Sequence, residues 1–467
     1  MPKVSPQQIR DVSEAIIQDV DKSIVLPNSV SLAVNLVFDK VLGRAVLRKG
    51  TTLLGTQVSS GNSCLALNQF VSSSGDKIPL VQFDTVLYDY DSGAWGSSKT
   101  GLNASKMRFV TFLDTIAGIN GTDTIASTSG TSWSTSGTAL DIGDCPAGNL
   151  IIEWKDKVYV AGVSGNPDRL YYSSTPTGGA ITWGTNYIDI EPEDGAGNLT
   201  GLAKVPGYLL LFKERSLKRW NGDSTFPEDL VDVGCPSQEA IVQTRQSVFY
   251  FNEKGVFETI GGYPRKVSRR IQALIEAIPV AYLSTVSGWG DKDNVYFSIG
   301  DITLNDLTLT NVIIQYNLDS QIWTTHSTPN EMVFWGKYID TNGGERVLAG
   351  DDDGNVWQMF YGTTDNGSAI DYRLRFQPQE LATRSRLKDL SDIIVHSINV
   401  RNGVLSVRTN EEGGYKALGN IKEDVQEINE SVNGRIFDFE IVGSGQDDVQ
   451  IIGMDFNSPS INLSTTD

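Results

Sequence analysis

Most apolar residues of this chain fall in runs of four to seven positions, separated by polar turns rich in Gly, Ser, Asn and Asp. One example is the run at 247–251, which is followed by a turn at 252–255 and a second run at 256–260. Short runs bounded by turn residues predict β-strands joined in hairpins. The pattern therefore predicts an all-β chain.

One hairpin pattern occurs twice, 228 residues apart. Residues 88–95 read Tyr-Asp-Tyr-Asp-Ser-Gly-Ala-Trp, and residues 316–323 read Tyr-Asn-Leu-Asp-Ser-Gln-Ile-Trp. Further Trp residues recur at spacings of 34 to 50 positions. Periods of this size, with four short strands in each unit, are typical of a β-propeller. We predict a propeller of six or seven blades over residues 81–377.

Residues 5–20 depart from the strand pattern. Ser5 and Pro6 suit the first positions of a helix, and apolar residues then recur every three or four positions. The resulting stripe consists of Ile9, Val12, Ile16 and Val20. We predict an amphipathic helix in an N-terminal arm, residues 1–22. It packs on its own domain or docks on a neighbouring subunit, in which case the stripe is a candidate interface.

A second, short helix is predicted at 268–278, inserted between two blades. Ser268 is a possible N-cap, and Pro279 ends the segment. A helix at this place is unusual for a generic propeller.

Two further β regions flank the predicted propeller. Residues 23–80 form an N-terminal β segment that packs on the propeller or on a neighbour. Residues 378–467 form a small C-terminal β domain and a tail. The alternation at 435–441 and the returning run at 449–456 predict a β-sandwich-like fold for this domain.

The charge of the chain restricts its partners. Lys and Arg number 38, Asp and Glu number 57, and the net charge is -19. Nonspecific nucleic-acid binding needs clustered cations, so this composition argues against it. No basic segment precedes an apolar core, and no run of about 18 apolar residues occurs, so we expect neither a signal peptide nor membrane insertion.

Cysteine and histidine offer little chemistry. Cys64, Cys145 and Cys235 are far apart, which argues against disulfides and thiolate metal sites and fits a reducing compartment. His326 and His396 fall in different predicted domains, and no nucleophile elbow accompanies either of them. We expect no catalytic residues and no cofactor.

An acidic segment resembles the start of a calcium-binding loop. Asp351, Asp353 and Asn355 place oxygen atoms at alternate positions. An EF-hand loop needs Gly at its sixth position and Glu at its twelfth, where this chain has Val356 and Gly362. An acidic hairpin turn is favoured, and the three residues remain a weak metal candidate.

Some propellers act on carbohydrates, and residues 130–133 (Gly-Thr-Ser-Trp) match half of a sialidase-type Asp-box. That motif is structural even where it is complete. The repeated Trp and Tyr residues are candidates for a glycan-binding surface, although a Trp after a hairpin turn usually covers the end of its own sheet. A carbohydrate-active or glycan-binding propeller, sialidase-like, therefore stays open as an alternative.

A series of segments also occurs in an order typical of one family of virion proteins. The segments are 166–174 with Thr182-Trp183, 198–202, 209–222, 264–271, 294–298 with 316–323, 434–440 and 451–453. Together they resemble the tail nozzle, or tail-hub, proteins of short-tailed bacteriophages, over roughly residues 150 to 456.

The resemblance implies a structural protein without catalytic residues. It implies a homo-oligomer, a hexameric tube below the portal and adaptor proteins, that continues the DNA channel, helps retain the genome and lets it pass at infection. The implied location is the virion tail, after assembly in the host cytoplasm. An acidic wall suits passage of DNA without specific binding, since like charge repels the duplex over about one Debye length, ~8 Å. A tail protein placed elsewhere in the particle is a further alternative.

Overall fold

The computed structural model describes residues 7–9, 11–18, 28–191, 194–223, 226–304, 307–340, 342–381, 386–410, 413–446, 448–456 and 460–461. Within these ranges the chain is nearly all β, as its pattern of short runs predicts. The strands build a propeller and a β-sandwich.

The first five strands belong to the sandwich, and the sixth belongs to the propeller. They are β1 (Gln7–Ile9), β2 (Ala15–Ile16), β3 (Ser29–Val34), β4 (Leu36–Asp39), β5 (Arg44–Leu47) and β6 (Thr52–Leu53). Asn35, with a φ of 60°, separates β3 from β4. These two consecutive strands therefore enter different sheets.

Blades 1 to 4 are antiparallel meanders that run outward from the propeller axis. Blade 1 contains β7 (Cys64–Val71), β8 (Lys77–Phe83), β9 (Val86–Asp91) and β10 (Ala94–Lys99). Blade 2 contains β11 (Arg108–Phe112), β12 (Thr115–Ile119) and β13 (Thr124–Ser127). Blade 3 contains β14 (Leu150–Trp154), β15 (Lys157–Ala161), β16 (Arg169–Tyr172) and β17 (Tyr187–Asp189). Blade 4 contains β18 (Leu199–Val205), β19 (Tyr208–Lys213), β20 (Leu217–Trp220) and β21 (Glu228–Val231).

Blades 5 to 7 complete the ring. Blade 5 contains β22 (Ile241–Gln243), β23 (Val248–Asn252), β24 (Gly255–Thr259) and β25 (Arg265–Lys266). Blade 6 contains β26 (Ser287–Gly290), β27 (Asn294–Leu304), β28 (Leu307–Asn317) and β29 (Trp323–Ser327). Blade 7 contains β30 (Met332–Ile339), β31 (Glu345–Asp351) and β32 (Val356–Met359), and β6 pairs with β32 as its outer strand. Innermost strands β30 and β7 pack together, so the described residues form a closed propeller of seven blades.

The two similar hairpins occupy equivalent places, as outer hairpins of blades 1 and 6. Trp95 lies opposite Tyr90, and Trp323 lies opposite Tyr316. The indole N–H of Trp95 donates to the Leu54 carbonyl at 2.8 Å, and that of Trp323 donates to the Val267 carbonyl at 3.0 Å. Each acceptor directly follows the outer strand of the preceding blade, so these Trp residues fasten neighbouring blades together.

Trp133 and Trp183 make the same kind of contact between neighbouring blades. The Trp133 indole donates to Ser98 Oγ of blade 1 at 2.8 Å, and the Trp183 indole donates to the Leu140 carbonyl of blade 2 at 3.0 Å. We call these four contacts the inter-blade indole bonds. They give the repeated Trp residues a structural role beyond covering their own sheets.

The described helices are short. They are 3-10 turns at Gln238–Ala240, Arg269–Ile271 and Val280–Tyr282, and α1 (Gln272–Glu276). The helix predicted at 268–278 is thus confirmed, between blades 5 and 6. Ser268 does not cap it, because its hydroxyl instead accepts the Val256 N–H at 3.0 Å. None of these helices has the length and apolar character needed to span a bilayer.

The sandwich combines strands from distant parts of the chain. Its later strands are β33 (Ile370–Phe376), β34 (Lys388–Leu390), β35 (Ile393–Ile398), β36 (Gly403–Thr409), β37 (Lys416–Ile421), β38 (Val425–Ile428), β39 (Val432–Gly434), β40 (Phe437–Gly445), β41 (Gln450–Phe456) and β42 (Ser460–Ile461). One sheet runs β38-β35-β41-β5-β4, and β1 also pairs with β41. The other extends blade 6 in the order β29-β3-β33-β40-β36-β37, and β34, β39 and β42 form a small third sheet.

The helix predicted over residues 5–20 is wrong. Strand β1 pairs with β41, and β2 pairs with β3, so pairing across the fold overrides the helical periodicity. The predicted interface stripe is also corrected. Ile9, Val12 and Ile16 are 3%, 0% and 1% exposed and belong to the chain's own core, so the fold of the single chain already covers them. Val20 lies outside the described residues.

The predicted domain boundaries also shift. The propeller begins at β6 rather than at residue 81, and it ends with β32, so β33 belongs to the sandwich. The segment 23–80 is divided between the two domains, and residues 378–467 supply only part of the sandwich. Hydrophobic alternation identifies strands but not their partners, which explains these displaced boundaries.

Arg48 joins the propeller to the sandwich where the chain passes between them. Its guanidinium makes two bonds to the Asp365 carboxylate, at 2.9 and 2.7 Å, and a third to Asn35 Oδ1 at 2.8 Å. It also donates to the carbonyls of Lys49 and Ser327. All five N–H donors of the guanidinium are therefore used. The sheet shared by blade 6 and the sandwich is a second connection between the two domains.

Candidate functional site

A cavity of about 330 Å³ lies on the propeller axis. It is lined by innermost strands of blades 1, 2, 3, 5, 6 and 7, which contribute Asn68, Arg108, Ile151, Val242, Trp289 and Phe334 among others. Blade 4 is screened from it by Gln238, whose side chain donates to the Leu202 carbonyl and accepts the Leu202 N–H. The meander architecture thus brings residues far apart in sequence to one place.

Three charged residues converge at this cavity. Glu239 follows blade 4, and its carboxylate accepts bonds from Arg108 at 3.0 and 2.6 Å and from Lys106 at 3.3 Å. Arg108 also donates to the Asn149 carbonyl of blade 3. Burial raises the pKa of the Glu239 carboxyl, but the two cations outweigh burial and hold that pKa below its usual value. We call Lys106, Arg108 and Glu239 the axial ion cluster.

The axial ion cluster limits what the cavity can do. Glycoside hydrolysis uses two carboxylates, one as acid and one as base or nucleophile. Among the described lining residues, Glu239 is the one carboxylate, and both of its oxygens are bonded to cations. The cavity is also far too small for duplex DNA. Any passage for a duplex must therefore lie outside the propeller's own axis.

The weak metal candidates form a hairpin turn between β31 and β32, as favoured from the sequence. Asp351 is fully buried, and its carboxylate accepts five hydrogen bonds at 2.7 to 3.0 Å. The donors include the Asp353 and Asn355 backbones and the Trp357 indole. Protein donors therefore satisfy the carboxylate where a cation would bind. Within the described ranges, no set of three acidic, His or Cys side chains is arranged to hold a metal ion.

The cysteines and histidines lie apart. Cys64, Cys145 and Cys235 are buried and unbridged, and burial raises the pKa of each thiol, to about 12 for the latter two. His326 is fully buried in blade 6, where burial and then Arg48 lower its pKa, and its Nε2 lies 2.7 Å from Gln315 Oε1. His396 pairs with Asp455 in the sandwich at 3.1 Å.

The resemblance segment 209–222 carries two buried lysines with structural partners. Lys213 Nζ lies 2.8 Å from Asp194 Oδ1 and 3.3 Å from Asp168 Oδ1. Lys218 Nζ contacts Glu191 at 2.7 Å, and Asp194 and Asp229 as well. The pairs with Glu191 and Asp194 join blade 4 to the segment that follows blade 3. Asp168 belongs to blade 3 itself, and Asp229 to blade 4.

Sequence signals for the charged groups that matter most are weak. Arg48 belongs to a small basic island (Arg44, Arg48, Lys49) that reads as a solvated surface, yet Arg48 is 3% exposed. Nothing in the sequence marks Glu239, since its partners precede it by more than 130 residues. Two cations at the start of an innermost strand, Arg108 as the first residue of β11 and Lys106 two residues before it, are the one available signal.

The comparisons with known proteins assign no family. No family model matches the chain, and no curated protein matches it. A solved structure of the extracellular domain of the putative one component system BT4673 from B. thetaiotaomicron is similar, with TM-score 0.42, 13% identity and coverage of 81% of this chain and 47% of that chain. A structure of the extracellular domain of BT4673, described as a putative hybrid two component system, is similar with TM-score 0.41 and 12% identity, and the match covers 82% of this chain and 47% of that chain. A structure of the N-terminal domain of Nup159 is similar with TM-score 0.37 and 8% identity, and the match covers 70% of this chain and 98% of that chain. The chain spans about half the length of the two BT4673 structures.

Proposed function

We propose that this chain is a structural subunit of a bacteriophage tail, which forms a hexameric nozzle or hub ring and acts without catalysis. The ring continues the DNA channel below the portal and adaptor proteins, helps retain the genome and lets it pass at infection. The ordered segment series at 150–456 motivates this proposal, and these segments fall on blades 3 to 6 and on the sandwich strands β40 and β41.

The observation that carries the proposal is a propeller with an obstructed axis, fixed rigidly to a sandwich. Arg108 and Glu239 of the axial ion cluster line the small cavity on the axis, and the Arg48–Asp365 pair and the shared sheet connect the two domains. Two domains connected in this way suit a ring whose passage lies between subunits, because a closed ring needs heterologous interfaces of fixed geometry. The net charge of -19 favours passage of DNA over binding.

Oligomeric state is the decisive measurement. Native mass spectrometry and electron microscopy are applied to the purified chain, alone and with the portal and adaptor proteins of the same particle. We expect six copies around a central opening wide enough for a DNA duplex. A chain that stays monomeric even with both partners contradicts the proposal.

Two further measurements separate the alternatives. Turnover of a sialoside or a polysaccharide by the purified chain contradicts the non-catalytic role and favours a carbohydrate-active propeller. The stoichiometry and position of the chain in intact particles separate a nozzle from another tail location. Six copies next to the adaptor support the nozzle, whereas a position at a distal tip contradicts it.

A further inference from the structure

The outer part of blade 3 presents a face of four polar and aromatic side chains. Strands β16 and β17 pair with Arg169 opposite Asp189, Leu170 opposite Ile188, and Tyr171 opposite Tyr187. Alternation directs Leu170 and Ile188 into the core between blades 3 and 4. The opposite face carries the other four side chains, which we call the tyrosine platform: Arg169, Tyr171, Tyr187 and Asp189.

The tyrosine platform is ordered by its own contacts. The guanidinium of Arg169 lies 3.8 Å from the Tyr187 ring centroid, and its Nε donates to Asp189 Oδ1 at 2.8 Å. The two tyrosine rings are 5.9 Å apart at an angle of 54°. Tyr187 is 42% exposed, and the Asp189 side chain is 53% exposed. Rings and hydrogen-bonding groups are thus held side by side in solvent.

The neighbouring blade leaves part of this face exposed. Blade 2 has three regular strands in the described residues, and the irregular segment 134–146 follows them. Tyr171 packs partly against the core between blades 2 and 3, whereas Tyr187 beside it stays exposed. The platform therefore lies at the outer edge of the propeller with Tyr187 accessible to solvent.

We propose that the tyrosine platform binds a neutral saccharide. Aromatic faces carry partial negative charge and pack against the C–H groups of a sugar ring, while adjacent Arg and Asp groups donate to and accept from its hydroxyls. The Arg169–Asp189 pair leaves the platform without net charge, and the chain as a whole is strongly acidic. Both facts favour a neutral sugar over an acidic one.

The area of the platform favours a small ligand over a protein. Stable protein interfaces bury about 800 Å² on each partner and involve about 20 residues a side. Four side chains on strands of four and three residues offer much less. One or two sugar rings match this size, and a single such site binds with a dissociation constant on the order of 1 mM.

Saturation-transfer NMR and titration calorimetry on the full chain test the proposal, with maltohexaose, cellohexaose and mannohexaose as neutral probes and hexagalacturonate as the acidic probe. We expect at least one neutral probe to bind and the acidic probe to bind at least tenfold more weakly. Tyr187→Ala should weaken neutral binding at least tenfold, and Asp189→Asn severalfold. Tyr263→Ala, which removes an 82% exposed tyrosine on blade 5, is the matched control and should leave binding unchanged.

Three results would overturn the proposal. One is that none of the neutral probes binds the wild-type chain. Another is that Tyr187→Ala, with an unchanged melting temperature, binds as tightly as the wild type. The third is that Tyr187→Ala alters the oligomeric state, which would make the platform a contact between copies of the chain. Failure of this proposal and failure of the proposed tail function are distinguishable, because saccharide binding tests the platform, whereas the number of copies and their position in the particle test the tail function.

Discussion

The guanidinium of Arg48 is enclosed at the junction of the two domains, with a side chain that is 1% exposed beside an Asp365 side chain that is 8% exposed. Removing one member of a buried ion pair leaves the other charge without compensation, which costs about 3–5 kcal/mol. We expect Arg48→Met to lower the free energy of unfolding by this amount. Urea denaturation followed by fluorescence measures the change.

Arg265→Met is the control for this prediction. Arg265 bonds Glu258 at 2.7 Å, but its side chain is 61% exposed. Exposed ion pairs contribute about 0–1 kcal/mol, so the control should differ little from the wild type. Equal losses in the two variants would show that burial of the Arg48 pair is unimportant.

Asp351 supports a turn through its acceptor capacity. Asp351→Asn replaces an accepting oxygen by a donating amide next to buried donors, which should cost about 1–3 kcal/mol. Asp353→Asn in the same turn is the control, since Asp353 is exposed and its Oδ1 acceptor is retained. We also expect millimolar Ca²⁺ to leave the wild-type melting temperature unchanged, because a ligand stabilises only the state it binds. A clear rise with Ca²⁺ would revive the metal site.

At the scale of elements, the inter-blade indole bonds act as repeated fasteners. Trp95→Phe and Trp323→Phe retain most of the ring but lose the donor to the preceding blade. The lost hydrogen bond should cost about 1 kcal/mol at each site, and Trp323→Phe should cost more because the smaller ring leaves a cavity at a fully buried position. The costs should add in the double variant because the two sites share no partners. Denaturant midpoints of the three variants measure this. Strong non-additivity would show that the two seams are coupled.

Local pattern was sufficient for most blade hairpins, but not for the distant strand β6 that completes blade 7 or for the sandwich. Each blade hairpin joins residues close in sequence, so the turn at Ser92 and the Trp after it could be recognised directly. Strand β1 instead pairs Ile9 with Met454, far along the chain. A three-residue strand carries too few positions to distinguish period 2 from period 3.6. The apolar stripe therefore correctly indicates that these residues are buried, but the helix predicted from it is replaced by short strands.

The candidate site was the least predictable part. Each blade places one strand at the propeller axis. Residues on the innermost strands of different blades therefore meet there, even when they are far apart in sequence. Arg108 and Glu239 meet there from blade 2 and from the connection between blades 4 and 5. Identifying that pair requires the number of blades and the register of their strands, and the variable Trp spacings do not determine either one.

At the scale of the whole molecule, the axial ion cluster links blade 2 to the opposite side of the propeller. Because the folded-state pKa of Glu239 lies below its ordinary value of 4.5, its contribution to stability is fully present above that pH. The contribution is lost as pH falls through the folded-state pKa. Glu239→Gln should therefore destabilise the protein at pH 7, and its difference from the wild type should shrink below about pH 4.5.

Melting temperatures of both proteins from pH 7 to pH 3 provide the measurement. The difference at neutral pH should amount to a few kcal/mol, as for a buried pair with one member removed. A difference that stays constant over the whole range, or that grows as pH falls, would contradict the assigned role of Glu239.

The placement of β6 and of β3 to β5 has a consequence for how a ribosome delivers this protein. These strands leave the ribosome early, yet the late partners of β6 and β3, which are β32 and β33, follow after roughly 300 residues or more. The late partner of β5, β41, follows later still. At about 5–20 residues per second, an interval of roughly 300 residues lasts on the order of 15–60 s. Neither the ring nor the sandwich can close during this time. Nascent chains therefore expose unpaired strands for most of their synthesis. When many copies are translated close together, the early strands of incomplete chains can pair with one another.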